Sequence, residues 1–156
     1  MQTDLATILQ YRNEDVISRF CDQFDIAPDE AEDIFRETKK FLYLAKYPSV
    51  FIPDELLIID EMWHNFILFT KVYHHFSTTY FNEYLHHLPA SKSEKEASKK
   101  LAADNPTAAK EEYLKKFEAL VSTVYDVLGE DTVLKWFEIY PRQYSKSKIN
   151  LLRKTC

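Results

Sequence analysis

Gly129 is the only glycine in this chain of 156 residues. Glycine enters positive φ and lets backbone approach a ligand closely at little steric cost, so its scarcity removes whole classes of structure. A phosphate-cradling loop or a dinucleotide fingerprint needs two or three glycines close together. A nucleophile elbow needs two flanking a serine. None of these can be written here. Tight two-residue hairpins lean on Asn-Gly or Asp-Gly pairs, and the chain has neither, which argues against an all-β fold.

What remains is helical periodicity, which runs almost throughout. Asn13 with Glu14 and Asp15 reads as an N-cap and acidic first turn, opening a helix to about Asp25. Pro28 opens a second, whose apolar face runs through Ile34, Phe35, Phe41 and Leu42 to about Tyr47. Pro53 starts a third, apolar over much of its circumference through Trp63 and Ile67, which places it at the centre of the core. Thr70 is a candidate cap for a fresh helix to about Phe81, and the pattern leaves open whether 53–81 is one helix or two. Residues 90–105 read as a polar, partly helical, mobile surface excursion. Pro106 opens a helix that Gly129 closes, and a short helix over 131–138 follows. The expectation is an all-α, single-domain irregular bundle of about six or seven helices over residues 1–141, with a basic tail over 142–156. With hydrophobic residues at 46% and aromatics at 15%, the chain can fill one core.

Charge and cysteine content narrow the function classes. Net charge is −5, which does not favour nucleic acid. Seven acidic residues lie between Asp22 and Glu37, and five basic ones with no acid lie between Arg142 and Cys156. Such runs are usually solvated faces; the basic one could also dock on an acidic partner. The two cysteines, Cys21 and Cys156, make neither a disulfide framework nor a zinc knuckle, and the reduced cytoplasm is the expected compartment. No secretory leader is evident. The apolar stretch around Leu56–Phe69 is interrupted by Asp60, Glu61, His64 and Asn65, so no membrane span is expected.

All five histidines crowd into 24 residues: His64, His74, His75, His86 and His87. Histidine is the commonest metal ligand. Asp60 precedes His64 by four residues, which on a helix puts both on one face. The pair can bind a metal, or the carboxylate can fix the imidazole tautomer. On an unbroken helix His75 would lie about 16 Å from His64, too far to share an ion. The His86-His87 pair, beyond the next helix, can return. The candidate metal site is therefore Asp60, His64 and one of His86 or His87, for one divalent ion such as zinc, iron, manganese or nickel. Trp63, Tyr73, His74 and His75 are read as binding or structural residues. The competing reading is a buried hydrogen-bond network in a non-catalytic interaction module. Its contact surface for an unidentified protein partner would be Tyr80, Phe81 and Tyr84, or the basic tail. Whether the protein is an enzyme is left open; a third possibility, cysteine chemistry at Cys21, is the weakest.

The run Ile59-Asp60-Glu61-Met62-Trp63-His64, then Tyr73, then His86-His87-Leu88-Pro89, resembles the plant glycine-rich-domain-containing proteins and their short bacterial relatives, which carry an Asp-x-x-Trp-His motif. Leu128-Gly129-Glu130 and Trp136-Phe137-Glu138 with Tyr140-Pro141 are similar to that family's closing segment. The resemblance covers roughly 54–89 and 129–141. Lys71 stands where the family often has proline, and Phe66 where it has a second histidine. The resemblance implies a helical domain without an established reaction, with Asp60, Trp63, His64, Tyr73 and His86 or His87 as signature positions.

Overall fold

Each helix start follows from local chemistry. In a computed structural model, which describes residues 3–155, Asp4 caps α1 (Leu5–Leu9) by accepting from the Thr7 amide. Asn13 caps α2 (Glu14–Gln23) through the amides of Asp15 and Val16. Pro28 occupies the first turn of α3 (Pro28–Leu44), where its missing N–H costs nothing. A 3₁₀ turn over Asp54–Leu56 leads into α4 (Leu57–Ile67). The question over 53–81 resolves as two helices: the chain breaks at Leu68–Phe69, and α5 (Thr70–Phe81) follows. Phe69 is the boundary residue and Thr70 the first helical one, so Thr70 is not the cap. Residues 90–105 hold a full helix, α6 (Lys92–Asp104), closed at its start by a reciprocal Ser91–Glu94 capping box. Next come α7 (Pro106–Leu128), α8 (Glu130–Leu134), a π turn (Lys135–Ile139), α9 (Tyr140–Gln143) and α10 (Lys146–Leu152). Gly129 has φ +92°, the one position where glycine's freedom is used.

The fold is all-α, and no strand occurs among the described residues. α3 and α4 pack together at the centre, α2 lies across both, and α6 and α7 form a hairpin joined to the rest through α8 and α3. The core is aromatic. The Phe66 ring lies 5.1 Å from each of Phe35, Tyr73 and Phe76, in edge-on arrangements suited to the ring quadrupole. The basic segment beyond Arg142 returns to α2: Ile149 is buried, the Asp25 amide donates to the Leu152 carbonyl, and the Lys154 amide to that of Gln23. Cys156 lies outside the described residues. Tyr80, Phe81 and Tyr84 are half-buried and pack on the core, so they are not the open contact surface the composition suggested.

Lys39 is 3% exposed, and its ammonium donates to the carbonyls of Leu9 and Tyr11, tying the end of α1 to α3. Burial pushes its pKa down to about 8, with Arg36 and Arg12 adding repulsion. The folded value lies below the unfolded one, so between about pH 8 and 10.5 the unfolded chain binds more protons and stability rises with pH. The stability advantage of wild type over Lys39→Met is therefore expected to grow by about 2 kcal/mol across that window in urea titrations. A pH-independent difference would contradict this assignment.

Candidate metal centre

The site begins with three residues of α4. Asp60, Trp63 and His64 sit at i, i+3 and i+4, on one flank of a helix whose other faces carry the buried Ile58, Ile59, Met62 and Phe66. Asp60 is half-buried and His64 exposed, at the edge of the core rather than within it.

The second half arrives from beyond α5. Asn82 adopts a left-handed conformation (φ +60°), and the chain reverses onto α4. The return is held by a relay. The Trp63 Nε1–H donates to the Tyr73 hydroxyl at 3.0 Å, and that hydroxyl donates to the Leu85 carbonyl. Burial pushes the Tyr73 phenol upward, so it remains a donor at neutral pH. Leu85 is buried, His86 exposed and His87 half-buried. With Leu85 anchored, His87 reaches Asp60 on α4, whereas His86 stays exposed beside Tyr84.

His87 Nε2 lies 2.7 Å from Asp60 Oδ1, and His64 Nδ1 lies 3.6 Å from Asp60 Oδ2. The two imidazoles stack nearly parallel, with centroids 4.5 Å apart and an 11° interplanar angle. The Trp63 ring backs His87 at 4.1 Å. One ligand atom from each of Asp60, His64 and His87 falls within 4.8 Å of the other two. In a tetrahedral site with bonds of about 2.0–2.1 Å, ligand atoms stand about 3.3 Å apart. To hold an ion, Asp60 and His87 would have to open their 2.7 Å hydrogen bond and the stacked imidazoles would have to turn toward a common point.

The other sequence candidates do not join this group. His86 packs edge-on against Tyr84 at 4.8 Å, and His74 and His75 are exposed on α5. Cys21 is free and half-buried, and burial raises its pKa, which leaves it a poor nucleophile. Two features escaped the sequence reading. One is Leu85 as the anchor, signalled only by a lone apolar residue before the histidine pair. The other is a cleft of about 1520 Å³ between the 45–53 loop, the 86–91 segment, α6 and α7, with Asp60, Trp63 and His87 on its wall. No contiguous motif encodes it.

The relay makes a prediction. Tyr73→Phe removes the acceptor of a buried indole N–H and the donor to a buried carbonyl, with an expected cost of about 2–3 kcal/mol. Amide exchange over 83–88 should accelerate more than that of α3. Equal acceleration in both would show that the relay does not hold this segment specifically.

No curated protein matches the chain, and no solved structure matches it. The model of the UCP032817-like family matches residues 6–119. This overturns the resemblance to the glycine-rich-domain-containing proteins, which rested on two short segments. An aspartate, a tryptophan and a histidine at i, i+3 and i+4 satisfy the flank of any central helix at a core edge, so that short pattern carries little family information. The matched length runs from α1 through most of α7 and includes Asp60, His64 and His87. On this match, the chain belongs to the UCP032817-like family.

Proposed function

We propose that this protein is a divalent-metal-binding helical domain in which Asp60, His64 and His87 hold a single ion. The observation that carries the reading is the convergence of the three ligand atoms within 4.8 Å from segments more than twenty residues apart in sequence. Two imidazoles and one carboxylate suit zinc, iron, manganese or nickel. Three protein ligands leave at least one coordination position, as in reactive rather than purely structural zinc sites. The Trp63–Tyr73–Leu85 relay supports the reading by holding the segment that carries His87, with the Trp63 ring backing that imidazole. The reducing cytoplasm is the proposed working compartment, in keeping with a sequence of only two cysteines.

A second reading is favoured by one observation. The 2.7 Å His87–Asp60 hydrogen bond satisfies both groups without an ion, as in a structural network within a protein-interaction module. Elemental analysis of the purified full chain separates the two. The metal reading expects about one zinc, iron, manganese or nickel ion per chain, or a rise in melting temperature when one is added. Absence of both would leave the hydrogen-bond network.

A further inference from the structure

The cleft also runs past Phe51, Asp54 and Tyr113, none of which belongs to the metal centre. Its charge is one-sided. Asp54, Asp60 and Glu94 contribute carboxylates, whereas Lys116 is the one lysine or arginine among its described lining residues and stands 3.9 Å from Glu112. Asp54 and Glu55 open the 3₁₀ turn before α4, and no cation pairs with either among the described residues. Asp54 also borders a smaller hollow that holds Lys146 and Arg153, where Arg153 is already paired with Glu61. Glu55 supplies the decisive observation. Its Oε2 is buried and has no hydrogen-bond partner among the described residues. A buried anionic oxygen without a donor is costly, and buried polar groups are normally partnered. Burial, then Glu55 and then Asp54 push the Tyr113 phenol upward, so both carboxylates stand near the Tyr113 ring on the cleft wall. The Phe51 ring meets Tyr113 edge-on at 6.3 Å. Two carboxylates beside two aromatic rings suit an organic ammonium, held by charge-assisted hydrogen bonds and by the ring quadrupoles.

We propose that the cleft binds an aliphatic polyamine, with one ammonium held by Asp54 and Glu55 against Phe51 and Tyr113 and a further one drawn to Glu94. Ammonium groups separated by short methylene runs match a lining that mixes carboxylates with apolar side chains such as Val50 and Leu57. At about 1520 Å³ the cleft has room for such a ligand in extended form. Glu94 is exposed and accepts from the Ser91 amide through Oε2, which leaves its other oxygen for the ligand. The inference does not rest on the metal reading, because Asp60, His64 and His87 are not among the groups it uses.

The test titrates the full chain with spermidine, butylamine and hexane-1,6-diol by calorimetry at fixed ionic strength. Spermidine is expected to bind at least about tenfold more tightly than butylamine, since each further charge-assisted pair adds to affinity, and the uncharged diol should show no saturable binding. Asp54→Asn and Glu55→Gln, made separately, should each weaken spermidine several-fold. Glu111→Gln makes the same charge change on an exposed position of α7 outside the cleft lining and should leave the affinity unchanged. Because Asp54 is exposed, its variant keeps the test valid even if Glu55→Gln fails to fold. Equal weakening by Asp54→Asn and Glu111→Gln would reduce the binding to general attraction by an acidic protein and overturn the site. Equal affinity for spermidine and butylamine would overturn the polyamine assignment, and saturable binding of the diol would overturn the role of charge. None of these outcomes depends on zinc, so the metal reading stands or falls separately.

Discussion

Asp60→Ala is expected to lower zinc affinity by at least about a hundredfold while leaving the fold intact. The carboxylate faces both stacked imidazoles, 2.7 Å from His87 and 3.6 Å from His64, and is the only anionic member of the group. On the proposed metal reading its loss removes the one charged ligand, and it also removes the hydrogen-bond partner of His87. The structural cost should be about 1 kcal/mol, because Asp60 is half-buried and water can replace it at His87. His87→Ala should lower affinity comparably. His64→Ala should lower it less, since an exposed imidazole is more readily replaced by water. Isothermal titration with zinc at constant buffer and ionic strength measures all three. Affinities within threefold of wild type for both Asp60→Ala and His87→Ala would place any zinc elsewhere on the chain.

The largest stability effect is expected at Glu37, on the far side of α3 from α1. Its side chain is fully buried, accepts from Trp136 Nε1–H at 3.2 Å and pairs with Lys40 at 2.9 Å. Lys135 stands 4.0 Å away and also pairs with Asp33. These contacts tie α3 to the π turn, where Trp136 is wholly buried. The Tyr140 hydroxyl, desolvated and facing Glu37 and Asp33, is pushed far above the ordinary phenol range and stays neutral. Glu37→Ala leaves a buried indole N–H without its acceptor and a half-buried ammonium without its charge partner. The expected loss is about 3–5 kcal/mol, because breaking one side of a buried pair costs much more than the pair contributes. For a domain of this size that corresponds to a fall in melting temperature of roughly 10–15 °C. Glu37→Gln keeps the acceptor and the shape and should lose about half as much. Chemical denaturation of the three proteins decides the matter, and a loss below about 1 kcal/mol for Glu37→Ala would show that this network does not hold the C-terminal helices.

Much of the helical framework was legible because it rests on short-range chemistry. Asn13, Pro28, Pro106 and Gly129 mark helix ends through their own backbone preferences, and they do so in the fold. Asp60 and His64 are four residues apart, a spacing that predicts a shared flank before any tertiary contact is known. The break between α4 and α5 was less legible. No proline or glycine marks it; the chain turns at Leu68–Phe69 because Phe69 and Tyr73 then pack on the core beside Phe66. The family resemblance failed for a related reason, since a five-residue pattern reports the geometry of one helix edge.

The residue types alone settled that this chain forms helices, that α4 is central, and that a carboxylate and an imidazole share one of its edges. These follow from backbone preferences and a 3.6-residue period, which act over a few residues. The choice of His87 over His86 was decided by the tertiary fold. It depends on the Tyr73 hydroxyl reaching the Leu85 carbonyl, a contact spanning twelve residues whose register no local rule encodes. The cleft was decided the same way, since its walls come from four separate parts of the chain and exist only once packing has brought them together.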